Sequence, residues 1–123
     1  MQAFFTLLSK IQKNQFSPFY LLSGTESYYI DTILTALTSK LVEETYRDFD
    51  YTVYFGKETN ISKIIETAKR YPLMAKYNLV VLKEAQEISN AAYEELALYA
   101  ARPANQSIVI VCFMHKAFDK RKK

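Results

Sequence analysis

Residues 68–85 read AKRYPLMAKYNLVVLKEA, and their order decides the fold. Ala68 closes an amphipathic helix, residues 71–77 form a turn, and residues 79–82 form a strand. Val80, Val81 and Leu82 make a continuous apolar run, the pattern of a parallel strand covered on both faces. The turn is unusual because it holds two bare apolar residues, Leu73 and Met74, directly after Pro72, where a loop is normally polar. In one reading Leu73 tucks under the helix end as a hydrophobic contact. In the other the pair is an exposed tip that fills a partner's apolar pocket. Met suits that role because it is flexible and polarizable, and Pro72 lowers the ordering cost on binding.

Working outward, apolar spacing alternates between helix and strand periods. Phe4, Leu7, Leu8 and Ile11 fall at i, i+3, i+4 and i+7, so the first dozen residues predict an amphipathic helix that breaks at residues 14–18. Residues 19–22 (FYLL) predict a short buried strand ending at Ser23-Gly24. Thr25 or Ser27 is placed to cap a helix over 28–42, whose stripe is Ile30, Ile33, Leu34, Leu37 and Leu41. Residues 43–48 are a polar link. Tyr51, Val53 and Phe55 alternate with Thr52 and Tyr54 in a strand closed by Gly56, and one wetter face places it towards a sheet edge. Asn60 caps a helix with the stripe Ile61, Ile64, Ile65 and Ala68. Ser89 or Asn90 caps another, with Tyr93, Leu96, Ala97 and Ala100 on one face, stopped at Pro103. Residues 108–113 (IVIVCF) form the last and most apolar strand. The fold class is therefore α/β: a three-layer domain with a mostly parallel central sheet of about four strands flanked by helices, with the strands at 79–82 and 108–113 central.

The 123-residue chain is long enough for one domain with a real core, and at 50% apolar and 24% charged residues it has an ordinary globular composition. Its two glycines argue against an all-β fold rich in tight turns. No stretch approaches the roughly 20 apolar residues of a membrane helix, so no membrane association is expected. The N-terminus lacks a secretion signal, and the single cysteine, Cys112, suits a reducing cytoplasm. Net charge is +3 overall. Residues 116–123 hold five basic residues and one acid, a net of +4, which leaves residues 1–115 at −1. The body is thus no basic nucleic-acid platform. Residues 1–115 are expected to form the domain and 116–123 a basic tail leading to further domains. Lys120, Arg121 and Lys122 in that tail are the candidate phosphate or DNA contacts, against the reading of a solvated chain end.

Chemistry is sparse. A phosphate loop needs several glycines, a lysine and a hydroxyl. The turn after the first strand (Ser23, Gly24, Thr25, Glu26, Ser27) has one glycine, no lysine, and a glutamate that repels phosphate. The dinucleotide pattern G-x-G-x-x-G is absent. The strand at 79–82 runs into Lys83 and Glu84 rather than paired acids, so Lys83 stands where a metal would sit. His115 is the only histidine, which excludes a histidine-rich metal site. Cys112, between Val111 and Phe113, reads as core rather than nucleophile. No catalytic, cofactor or metal residues are expected. Seven of the tyrosines (Tyr20, Tyr28, Tyr29, Tyr71, Tyr77, Tyr93, Tyr99) fall mostly at element ends, where the ring packs and the hydroxyl stays wet. A base-stacking surface would interleave them with Lys and Arg, and only Arg70-Tyr71 and Lys76-Tyr77 come close to that pattern. The pattern is that of a binding module or a piece of something larger.

An ordered series of motifs then resembles a known family. Phe19-Tyr20-Leu21-Leu22-Ser23-Gly24 with Glu26 and Tyr29-Ile30 is similar to its opening strand, Gly-x-Glu turn and helix. Tyr71-Pro72-Leu73-Met74 followed by Asn78-Leu79-Val80-Val81-Leu82 resembles its Pro-Leu-Phe turn and next strand. Glu94-Glu95-Leu96 through Pro103, residues 107–111 and Phe118-Asp119-Lys120-Arg121 resemble the segments that follow. The family is the delta subunit of the bacterial DNA polymerase III clamp loader, and the resemblance covers its N-terminal domain. It implies an AAA+-like (P-loop NTPase-like) domain without a functional phosphate loop, and a non-catalytic subunit of a DNA polymerase III holoenzyme. That subunit binds the sliding clamp (beta subunit) and helps open it during DNA replication. It implies that Pro72, Leu73 and Met74 are the clamp contact, with Met74 in place of the family's aromatic and Lys69 near the place of the glutamine common in clamp-binding peptides. It further implies contacts with other loader subunits through a collar domain beyond Lys123, and with primed DNA indirectly. The alternative is a nucleotide-binding or DNA-contacting α/β domain of another AAA+-related protein.

Overall fold

The computed structural model describes residues 2–24, 26–42 and 47–114. Helix α1 (Gln2–Gln12) leads into β1 (Phe19–Gly24) and α2 (Ser27–Leu41). One helical turn, α3 (Arg47–Asp50), feeds β2 (Tyr51–Phe55). A short 3-10 turn at Gly56–Glu58 precedes α4 (Ile61–Ala68), then β3 (Asn78–Lys83), a second 3-10 turn at Ala85–Glu87, α5 (Asn90–Ala101) and β4 (Ser107–Met114). The four strands form one sheet in the order β1-β4-β3-β2, and every neighbouring pair is parallel. The expected α/β architecture is therefore present, with β3 and β4 central and β2 at an edge.

The alternation of side chains along β3 and β4 explains their apolar runs. Leu79, Val81, Ile108, Ile110 and Cys112 face one core, shared with Ile11 of α1 and with Ile30, Ile33, Leu34, Leu37 and Leu41 of α2. Val80, Leu82, Val109 and Val111 face a second core, shared with Ile64 and Ala68 of α4 and with Leu96 and Tyr99 of α5. A strand with period 2 and helices on both faces has no position left for a polar residue. Registers such as Val80 with Val109 and Val53 with Val81 bring like residues side by side.

Three expectations need correction. The cap position of α2 is Glu26, which makes no side-chain cap bond, so Ser27 is the first helical residue and not the cap; Thr25 lies outside the described residues. Strand β1 is not buried throughout: it is the other sheet edge, and Leu21 is exposed. Helix α5 is rotated from its expected face, burying Leu96 and Tyr99 while Tyr93 and Ala97 stay exposed. Tyr99 wins the buried position because its ring lies against Phe19 and its hydroxyl accepts the backbone N–H of Ala104 at 3.2 Å. Elsewhere the caps match, with Asn60 accepting from Ser62 N at 2.8 Å and Ser89 from Ala92 N at 3.1 Å.

Where β2 and β3 end, their 3-10 turns meet with no room between them. A Cβ placed on Gly56 would run into the backbone carbonyl oxygen of Glu84 and lie 3.0 Å from its carbon, whereas one on Gly24 would meet nothing within 4 Å. Glu84 itself takes a left-handed conformation, φ 55. Gly56→Ala should therefore cost about 1–3 kcal/mol by overpacking. Gly24→Ala should leave stability unchanged or slightly raised through the unfolded chain. Urea denaturation of the two variants beside the wild type checks the contrast.

Candidate functional site

The turn between α4 and β3 carries three of the large apolar or aromatic side chains that the fold leaves exposed. Tyr71 is 77% exposed, Leu73 72% and Met74 55%. Leu73 thus does not tuck under the helix end, and both side chains of the pair are exposed. Pro72 is half-buried beside them.

A turn that exposes its apolar side chains must be held by something else, and here the holders are polar. The carboxylate of Asp50, the residue just before β2, accepts three consecutive backbone N–H groups. One oxygen takes that of Leu73 at 2.6 Å, and the other takes those of Met74 at 2.7 Å and Ala75 at 2.5 Å. On the helix side, Asn78 donates its side-chain amide to the carbonyl of Thr67 at 2.7 Å, and Gln106 donates to that of Lys69 at 2.8 Å. The Ser107 hydroxyl reaches the carbonyl of Arg70 at 3.4 Å. The Thr67 carbonyl belongs to the last turn of α4, where it also accepts the backbone N–H of Arg70 at 3.1 Å, and those of Lys69 and Arg70 follow the helix end. Ala75 and Tyr77 return the chain to the core, Tyr77 against Phe16.

Four polar residues are buried among those described: Thr38, Asp50, Asn78 and Ser107. The last three all serve this turn. Asp50 is 1% exposed. Burial pushes its carboxyl up, but the N–H groups of Ala75, Leu73 and Met74, together with the positive charge of Arg70, outweigh this and hold it below its ordinary value. The sequence reading missed Asp50 because its partners are backbone amides, which carry no sequence signal.

The other candidates fall away from this place or outside the structure. Lys120, Arg121 and Lys122 lie outside the described residues, as does His115. Cys112 is buried, and burial pushes its thiol up to about 11, so at neutral pH it is a protonated core residue. Among the described residues no group of three His, Cys, Asp or Glu could hold a metal, and no helix is long and apolar enough to cross a membrane. Of the tyrosines, Tyr20 and Tyr99 are buried and Tyr28, Tyr71 and Tyr93 exposed. Tyr20 accepts the backbone N–H of Ser17 at 2.9 Å.

The tip of this parallel α/β domain is thus an exposed apolar pair braced by buried polar groups. The sequence matches the model of the family described as DNA polymerase III, delta subunit, over residues 20–123; the chain belongs to that family. It is 23% identical to DNA polymerase III subunit delta of Bacillus subtilis (strain 168), over 97% of this chain and 37% of the relative. The structure superposes on that of the Bacillus subtilis DNA clamp loader delta protein with a TM-score of 0.84 at 22% identity, covering 98% of this chain and 38% of that one. The chain therefore spans little more than a third of the length of these relatives.

The bound state of Asp50 makes stability depend on acid in a defined direction. A carboxyl held below its unfolded value of about 3.9 stabilises the fold fully above that value. It loses this contribution as pH falls through the folded value. The stability gap between wild type and Asp50→Asn, measured by urea denaturation, should be constant from about pH 7 to 5 and shrink below about pH 4. A gap that persists unchanged in acid would show that the carboxylate is not held in its ionised form.

Proposed function

We propose that this domain binds the DNA sliding clamp through the turn at Pro72, Leu73 and Met74 and helps to open the clamp during DNA replication. The observation that carries the reading is the exposure of Leu73 and Met74 on a turn whose backbone is fixed by buried polar groups. Exposed apolar pairs held in one shape are suited to fill a partner's pocket, because little ordering cost is left to set against the contact. Membership of the delta subunit family supports the choice of partner, since the similar Bacillus subtilis protein is a clamp loader protein by name. The cations Lys69, Arg70 and Lys76 are exposed around the apolar tip, and such a rim favours a pocket with acidic surroundings.

In this reading the domain is the non-catalytic, clamp-gripping part of a cytoplasmic loader, whose other subunits it meets through regions outside this chain. Primed DNA is then met indirectly, as the substrate of the assembled loader. The turn after β1, with Glu26 at the α2 cap position and no lysine, supports the non-catalytic part of this reading. Met74 in the place of an aromatic keeps the pocket-filling role with a more flexible side chain.

The test is clamp binding by isothermal calorimetry with the cognate sliding clamp. Leu73→Ala and Met74→Ala should each lose about 2 kcal/mol or more of binding, roughly 30-fold. Their folding stability should stay within about 0.5 kcal/mol of wild type, because neither side chain is buried. Wild-type affinity in the Leu73→Ala/Met74→Ala double variant would remove the turn from the interface.

A further inference from the structure

The three amides that meet at Asp50 suggest how the tip gets its shape. When consecutive N–H groups converge on one carboxylate, the backbone between them curls with its concave side towards the anion. At Leu73 and Met74 the side chains leave the arc on its solvent side. The exposures of Leu73 and Met74, 72% and 55%, are what that curl produces. Pro72, which has no N–H, stands immediately before the first donor, and Ala75, small enough to turn inward, closes the arc against the core. The anion is thus supplied by the chain itself, from the end of α3, 23 residues away in sequence from the first donor it binds.

We propose that Asp50 is the positioning residue of the clamp-binding turn: its carboxylate, by gathering the N–H groups of Leu73, Met74 and Ala75, sets the conformation in which Leu73 and Met74 meet the partner. The proposal rests on the reading of the turn as the clamp contact, and it adds a residue that never touches the clamp. Hydrogen bonds to an ionised acceptor are the stronger kind, and two oxygens holding three donors define the arc more tightly than one acceptor can. Asparagine in place of Asp50 keeps one accepting oxygen and turns the other into an amide donor, which faces the N–H groups it should receive. Alanine keeps neither. Arg70, exposed at the start of the turn, is the charged neighbour that acts on the carboxylate among the described residues.

If loosening leaves the competent shape in about a tenth of molecules, apparent affinity falls about tenfold with no contact to the clamp removed. The series wild type, Asp50→Asn, Asp50→Ala should therefore weaken clamp binding stepwise, at a temperature where melts show all three folded. A purely structural role predicts lower melting temperatures but equal affinity of the folded molecules.

The experiment uses the 123-residue chain and two readouts. In the first, amide resonances and hydrogen exchange of Leu73, Met74 and Ala75 are followed by NMR. In wild type the three amides should be protected and should shift together as acid titrates Asp50; in Asp50→Asn they should lose protection. The wild-type titration in this readout needs neither a foldable variant nor a clamp. Amides that exchange freely in wild type, or that ignore the titration, overturn the proposal. In the second, affinity for the cognate clamp is measured. A folded Asp50→Asn or Asp50→Ala that binds as wild type, while Leu73→Ala/Met74→Ala does not, overturns the positioning role and leaves the clamp reading standing. A wild type that does not bind the clamp removes that partner, and the amide titration still decides the clasp.

Discussion

A buried carboxylate must find donors, and a turn that sends its apolar side chains into solvent must find an anchor. The contact of Asp50 with the N–H groups of Leu73, Met74 and Ala75 meets both needs at once. A hydrophobic contact frequently fastens the chain that leaves a helix end. Here the backbone itself is gripped, by Asp50 on one side and by Asn78, Gln106 and Ser107 on the other. Because the grip is polar, the two apolar side chains are released from structural duty. Burying an acid is costly unless its lone pairs are filled. That cost is met by three short bonds from a single stretch of backbone.

The scaffold behind the turn explains why such a device fits at this place. Asp50 ends α3 at the threshold of β2, and the turn runs into β3, the strand that pairs with β2 from Tyr51 opposite Leu79. Asn78 opens β3 and Ser107 opens β4, so both are buried at the same end of the sheet. Parallel strands put all their N-terminal ends on one side, and the polar residues gathered there can reach the end of α4. The sheet is thus a platform whose N-terminal strand ends hold the turn that exposes Leu73 and Met74.

Much of this platform could be read in the sequence. The runs at 79–82 and 108–113 are continuous because helices cover both faces, and the stripe of α2 is regular enough to give every buried position except Thr38, a polar residue whose hydroxyl bonds back to the Leu34 carbonyl. Helix α5 was read a turn of the face away from its true one. In Asn90–Ala101, with the sequence NAAYEELALYAA, alanines spread around the helix blur the period, and only packing decides between Tyr93 and Tyr99. Leu21 was read as buried because an edge strand and a central strand look alike over four residues. The turn was legible as an anomaly, apolar where a loop is polar, yet its two readings were not separable. What separates them is Asp50, and an acid just past a polar link that already holds Glu43, Glu44 and Asp48 looks like any solvated acid until its backbone partners are known.

The most direct measurement of the central claim is a map of contacts between methyl-labelled Leu73 and Met74 and the cognate sliding clamp, by intermolecular NMR transfer in the complex. If the polar grip exists to present these two side chains, both methyl groups will lie against clamp protons, and the amides of residues 73–75 will keep their free-state shifts relative to Asp50 on binding. Methyl groups that remain solvent-facing in a formed complex, or amides that rearrange as the clamp binds, would contradict a preformed tip and place the recognition elsewhere on the domain.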